Sequence, residues 1–487
     1  MKKMKWLGTG LAIAAVTAGL TMTAMPNDDK ATAAVDNAYS GKKAKYVFYF
    51  IGDGMAMPQI TSTEIFKGAA AGGMNRQDLV FTKFANQGMQ TTHALNTFIT
   101  ESAAAGTALA TGYKTNNDVL GVDPSGQTKY KSMAMMAKEK GMKVGIVSSV
   151  SIDHATPAAF YANQKSRSNY YEIALQLSES NFDYFAGGGL LAPTGKKKDQ
   201  RNALEIAQER GYKVVNDKNE ILNLSKNTGK VIAIDQNLAG EQAMRYDIDR
   251  NNALSLADYT KKGIELLDNN KGFFMMVEGG KIDWAAHAND ATTTVRDVAA
   301  LEEAIKVALE FQAKHPDDTL IVVTGDHETG GMTIGFAGTE YQTYFGKLLG
   351  QKMSFEVFDK AIAEYRKNNA ANASLEDWKG FLAQNFGMDN LTAYETSRLE
   401  KALAASMIDK KARPKTDEAQ VLYGSYEPFS VTVTHILNQR AGIGWTTYAH
   451  TGVAVPVFAN GLGSKMFDGY YDNTDVARKI MAVMGVG

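Results

Sequence analysis

The chain contains no cysteine. That absence excludes disulfides, thiolate zinc sites, iron–sulfur clusters, cysteine nucleophiles and acylated lipoprotein anchors. An excess of charge of either sign is also missing, since 52 Lys and Arg face 53 Asp and Glu for a net charge of −1. A chain so near neutrality has no global field with which to hold a nucleic-acid backbone, so no nucleic-acid-specific binding is expected. Histidine is scarce, with seven residues, and each can be weighed singly as ligand or base. What remains is ordinary globular composition, 44% hydrophobic and 22% charged over 487 residues, neither disordered nor fibrous. At ~150 residues per domain the length allows about three domains, though large single α/β enzymes depart from that figure.

A long apolar run occurs only at the amino terminus. Lys2, Lys3 and Lys5 precede an apolar stretch over residues 6–20, and Ala31-Thr32-Ala33 has the small-residue pattern that signal peptidase accepts. The stretch falls short of the ~20 residues needed to cross a bilayer. Residues 1–33 read as a cleaved secretory signal. Residues 34–487 then form the mature chain, exported to a periplasm or secreted, with no membrane attachment after cleavage. Without disulfides, such a chain must draw its stability from its core and from metal ions.

The rest alternates short apolar runs with helical patterns. Residues 46–51, 144–150, 182–186, 231–234, 273–277 and 320–324 are nearly continuous apolar segments, the pattern of strands covered on both faces in a parallel sheet. Val298, Leu301, Ile305 and Leu309 recur at helix spacing between two of them. This alternation predicts an α/β fold, doubly wound, with a mostly parallel central sheet and helices on both faces. From about 336 to 442 the texture turns Lys/Asn/Glu-rich. Ser374-Leu-Glu-Asp377 and Thr392-Ala-Tyr-Glu395 read there as capping boxes, and the stretch is expected to be a mainly helical insertion into one catalytic domain.

In such sheets ligands bind beyond the carboxyl ends of the strands. The run at 46–51 leads into Gly52-Asp53-Gly54, and the run at 273–277 ends at Glu278, with Asp283 and His287 close behind. The run at 320–324 ends in Gly325-Asp326-His327-Glu328-Thr329-Gly330-Gly331, and His450-Thr451-Gly452 precedes a further apolar run. Taken singly, Gly-Asp-Gly is most often a turn, and an Asp/His pair at i,i+4 is most often a surface contact. Four clusters at four strand ends are hard to assign to turns alone. Together they exceed the needs of one tetrahedral zinc and suit two zinc-like ions with a harder, oxygen-bound ion such as Mg²⁺. Paired ions stabilise the attacking and leaving oxygens of an in-line displacement, as phosphoryl transfer requires.

Ser102, at the head of a small-residue, helix-prone segment, is either an N-cap or a nucleophile set where a helix start favours an anion. His93, His315 and His435 have no ligand-type neighbours and are expected to be structural or solvated.

These motifs, with Glu101-Ser102-Ala103-Ala104 and His154-Ala155-Thr156-Pro157-Ala158, resemble the ordered motif set of the bacterial and animal alkaline phosphatases, from about residue 45 to 459. The resemblance implies hydrolysis of small phosphomonoesters of broad range through a phosphoserine on Ser102. It implies one zinc on Asp283, His287 and His450, and a second on Asp53, Asp326 and His327. It implies Mg²⁺, or another divalent ion in its place, on Asp53, Thr156 and Glu278, with Arg167 clamping the phosphoryl group. A homodimer is among the assemblies it leaves open. Three positions vary. Glu101 stands where aspartate is common, and its longer arm is expected to loosen Arg167. His154 and Trp284 neighbour the third ion, where an imidazole favours zinc over magnesium. A sulfatase is disfavoured because Ser102 lacks the following Pro and Arg of that motif, whereas a phosphodiesterase shares the two-zinc core.

Overall fold

The continuous hydrophobic run at residues 46–51 is buried on both sides of one sheet. In the computed structural model, which describes residues 39–73 and 75–487, Val47, Tyr49 and Ile51 enter one core while Tyr46, Phe48 and Phe50 enter the other. The strands in chain order are β1 (Tyr46–Gly52), β2 (Asn86–Thr91), β3 (Lys143–Ser148), β4 (Tyr184–Gly187), β5 (Tyr212–Val215), β6 (Lys230–Ile234), β7 (Phe273–Glu278), β8 (Thr319–Gly325), β9 (Glu328–Thr329), β10 (Thr333–Ile334), β11 (Ile443–Gly444), β12 (His450–Thr451), β13 (Val455–Gly461) and β14 (Gly469–Asp472). Ten of them form one sheet in the order β14-β2-β13-β8-β1-β7-β3-β4-β6-β5. Within it β13 runs antiparallel to both its neighbours, and the remaining pairs are parallel.

Helices cover both faces. Ser102–Thr111, Met133–Glu139 and Asn473–Met484 pack on one core, and Leu256–Leu267 and Ala291–Gln312 on the other. The expected doubly wound α/β sheet is therefore present. The strands β2, β5 and β14 lack a continuous apolar run because much of their surface is exposed, so covering both faces is not required of them. The signal expected at residues 1–33 lies outside the described residues.

Residues 336–442 carry the helices Phe355–Asn369, Glu376–Phe386, Ala393–Met407, Asp417–Tyr423 and Pro428–Ala441. Their core is aromatic: the Phe358 ring lies 5.0–5.8 Å from the rings of Trp378, Phe381, Phe386 and Phe429. It also takes in Phe66 and Val295 from two helices flanking the sheet. The box at Thr392 forms, with the Glu395 amide donating to Thr392 Oγ1 and the Thr392 amide to Glu395 Oε2. The one expected at Ser374 does not. Ser374 Oγ accepts from the Glu376 amide instead, and the Asp377 carboxylate is engaged by Tyr365 Oη at 2.6 Å.

Parallel register fixes the level of the strand ends. On either side of β1, Ile51 lies opposite Glu278 and Gly52 opposite Gly325, so Asp53 and Asp326 leave the sheet at one height, with Glu278 level with Ile51 beside them. Gly325 permits this approach, since a Cβ there would sit 2.0 Å from the Met55 carbonyl oxygen. Gly325→Ala is expected to cost about 1–3 kcal/mol of stability through overpacking. An unchanged melting temperature would contradict that reading of the close contact.

Candidate metal centre

The carboxyl ends of β1, β3, β7 and β8, together with β12, bring candidate ligands into three groups, in which His154, expected only as a neighbour of the third ion, stands with Asp53 and Glu278. Asp283, His287 and His450 form one, Asp53, Asp326 and His327 a second, and Asp53, His154 and Glu278 a third. Within each group one possible ligand atom per residue lies within 4.8 Å of the others. Asp53 belongs to two groups and so stands between them. Helix Lys281–His287 places Asp283 and His287 one turn apart with Oδ2 and Nε2 at 3.3 Å. His450 arrives on β12, which pairs antiparallel with β9 just after His327.

The hydrogen bonds of the three imidazoles set their tautomers. His287 Nδ1 lies 2.6 Å from the Tyr448 carbonyl oxygen and His450 Nδ1 2.8 Å from that of Thr100. A carbonyl only accepts, so both Nδ1 atoms carry the proton. Thr329 Oγ1 gives its hydrogen to Asp283 Oδ1, and it stands 3.3 Å from His327 Nδ1 as an acceptor. Each ring thus turns Nε2 inward, the arrangement that orients a metal-binding histidine. His287 Nε2 and His450 Nε2 face each other at 3.0 Å, a contact that two lone pairs tolerate only with a cation or proton between them.

The carboxylates show the same need. Both oxygens of Asp53 and Oε1 of Glu278 are buried without a hydrogen-bond partner. Burial first, then the neighbouring Asp326, Asp283 and Glu278, push Asp53 well above the usual carboxylate range. Burial raises Glu278 to about 8 and Asp326 to about 7. Burial also opposes charge on Asp283 and His287, but their mutual attraction prevails, holding Asp283 low and raising His287 to about 9. Orphaned oxygens and inward nitrogens on one buried patch fit divalent cations held by mixed N and O donors.

Ser102 is the first residue of its helix, and Glu101 is the N-cap, accepting from the amides of Ala103 and Ala104 at 2.9 and 2.8 Å. Ser102 is therefore not the cap. Its Oγ, on a residue 2% exposed, lies 3.4 Å from His327 Nε2. Glu101 also accepts from the Asp118 amide at 2.9 Å and pairs with Arg167 Nη1. The expected loosening of Arg167 is not observed, because three amides fix the longer glutamate arm. Arg167 Nη2 is held on its other side by His154 Nε2 at 3.0 Å. Trp284 packs edge-on against the His154 ring. Thr156 Oγ1 lies 3.5 Å from Asp326 Oδ2.

The other histidines are occupied elsewhere. His435 contacts Asn289 Oδ1, His315 packs on Tyr46 and Phe311, and His93 lies near Asp472. Sequence reading missed Thr329, Ser148, Thr100 and Tyr448. Ser148 Oγ hydrogen-bonds Glu278 Oε2. Thr100 and Tyr448 act through backbone carbonyls, which leave no side-chain signature; Thr329, on β9 two residues after His327, stands in the motif itself.

The alkaline phosphatase family model matches residues 44–486. Alkaline phosphatase 4 of Bacillus subtilis (strain 168) is 34% identical over 489 residues, covering 98% of this chain and 96% of that protein. The crystal structure of Thermus thermophilus alkaline phosphatase aligns with a TM-score of 0.78 at 26% identity, over 95% of this chain and 96% of that one. A cold-active alkaline phosphatase from a psychrophilic Shewanella sp. aligns with a TM-score of 0.74 at 30% identity, over 90% and 99%.

Ions that bind the folded chain and not the unfolded one add stability by mass action, about 4 kcal/mol at ~1,000-fold over Kd. Exhaustive chelation is therefore expected to lower the melting temperature, with recovery on return of zinc. A melting temperature indifferent to chelation would contradict the cation fit.

Proposed function

Given that this chain belongs to the alkaline phosphatase family and is a phosphatase, we propose that it hydrolyses small phosphomonoesters through a phosphoserine on Ser102, with two zinc ions and one magnesium or other divalent ion. The observation that carries this reading is the convergence of three inward Nε2 atoms and unpartnered carboxylate oxygens beside one buried hydroxyl at a helix start. In this reading Asp283, His287 and His450 hold one zinc, and Asp53, Asp326 and His327 hold the other. Asp53, Glu278 and Thr156 hold the third ion, with His154 and Trp284 beside it.

When bound, the cations would supply positive charge to the attacking, leaving and phosphoryl oxygens. The chain's own groups account for the rest. Ser102 Oγ attacks phosphorus as the ester's alcohol oxygen departs, and water then attacks the phosphoserine, returning the serine and releasing phosphate. Arg167 offers a planar fork to two phosphoryl oxygens, and Glu101 with His154 hold that fork in place. Recognition centred on the phosphoryl group leaves the alcohol free to vary.

The same reading takes residues 34–487 as one catalytic domain interrupted by an insertion at about 336–442. It takes the chain as exported, periplasmic or secreted, with a homodimer among the assemblies it allows. Among the described residues no helix is long and apolar enough to cross a membrane.

Acid quenching of wild type with a labelled monoester should trap phosphate on Ser102, and Ser102→Ala should abolish both the trapped species and turnover; an unchanged kcat refutes the nucleophile. Arg167→Ala should lower kcat/KM about 10–100-fold, the worth of ~1.5–3 kcal/mol for hydrogen bonds to a charged group. Steady-state kinetics showing no loss would remove Arg167 from the site. A diester turned over faster than the matching aryl monoester would overturn the monoesterase reading.

A further inference from the structure

One buried carboxylate beside the ligands has no task in the mechanism above. Glu328 follows His327 directly and is 1% exposed. Its Oε1 accepts from Gln59 Nε2 at 2.8 Å and from the Met332 amide at 3.0 Å. Its Oε2 accepts from the Gly331 amide at 3.0 Å and from Thr451 Oγ1. Four donors on two oxygens occupy the usual lone-pair sites of an ionised carboxylate. Glu328 thus has little left to offer a cation.

Its partners belong to the segments that carry ligands. Gln59 Oε1 accepts from the Ala56 amide at 3.0 Å, tying Glu328 to the turn after Asp53. Thr451 adjoins His450, and in the pairing of β9 with β12 it lies opposite Glu328. A two-residue pairing is weak on its own, and β12 sits between the exposed residues Ala449 and Gly452. Backbone bonds from Gly330 to the Ala449 carbonyl and from His450 Nδ1 to that of Thr100 hold the ends of this strand, and the Thr451 hydroxyl on Glu328 adds a side-chain tie to the segment that carries His327.

We propose that Glu328 is a positioning residue: its carboxylate clamps the Asp53, His327 and His450 segments together and so sets the spacing of their ligand atoms. The proposal rests on the reading that these residues bind divalent cations. Partners that orient metal ligands typically change affinity 10–100-fold. Glu328→Gln keeps the shape but turns an NH₂ group toward donors, so the clamp opens. Thr451→Val removes only the hydroxyl, and Thr451→Ser keeps it.

The test is zinc affinity of the full chain by equilibrium dialysis against a competing chelator, with circular dichroism of each metal-free protein as the check on folding. Glu328→Gln and Thr451→Val are expected to bind zinc about 10–100-fold more weakly than wild type, with Thr451→Ser restored to the wild-type value. Wild-type affinity in both Glu328→Gln and Thr451→Val overturns the proposal. So does a loss in Thr451→Ser equal to that in Thr451→Val, which would make packing the cause. Should Glu328→Gln not fold, the threonine pair decides. A wild-type chain that binds no zinc would bring down the functional reading, and this proposal with it. That result is distinct from a wild-type chain that binds zinc and variants that bind equally well.

Discussion

Four carboxylates, Asp53, Glu278, Asp283 and Asp326, crowd together with the imidazoles of His287, His327 and His450, and that crowding is unfavourable until positive charge joins them. Asp53, Glu278 and Asp326 have lost their water, and the first two keep oxygens with no donor. His287 and His450 aim Nε2 atoms at each other, a contact that needs a proton or a cation between them. Divalent cations held there would relieve the repulsion and satisfy the orphaned atoms together, and would couple folding to metal binding. In a chain without cysteine, such coupling would do work that disulfides do elsewhere.

The scaffold serves that patch. Parallel register puts the ends of β1 and β8 at one height, with that of β7 beside them, and glycines at the turns let the backbone bend without delay. The helical region beyond residue 336 is joined to the same place. Asp290 accepts from Gln351 Nε2 and the Phe355 amide, and the Asn289 carbonyl accepts from Asn438 Nδ2. Both lie within three residues of His287. Disturbance of that region therefore reaches a ligand through a short, hydrogen-bonded segment.

Much of this was legible in the sequence because the signals were strong and local. Doubly covered strands write continuous apolar runs, and acidic or imidazole groups after such runs mark strand ends. The i,i+4 spacing of Asp283 and His287 needed only a helix to become a shared face. Other features were not legible. β2, β5 and β14 carry mixed sequences because much of their surface is exposed. The tie of Arg167 to Glu101 and His154 depends on three distant segments meeting. The serine at 374 has the composition of a capping box, but Tyr365 claims the Asp377 carboxylate, a competition that only tertiary packing reveals.

The central claim is that these ligands surround divalent ions beside Ser102. Anomalous diffraction at the zinc absorption edge, from crystals of protein purified without chelator, tests it most directly. The account predicts one peak bounded by Asp283, His287 and His450, and another bounded by Asp53, Asp326 and His327. A map of well-ordered side chains with no anomalous density at either place would contradict it.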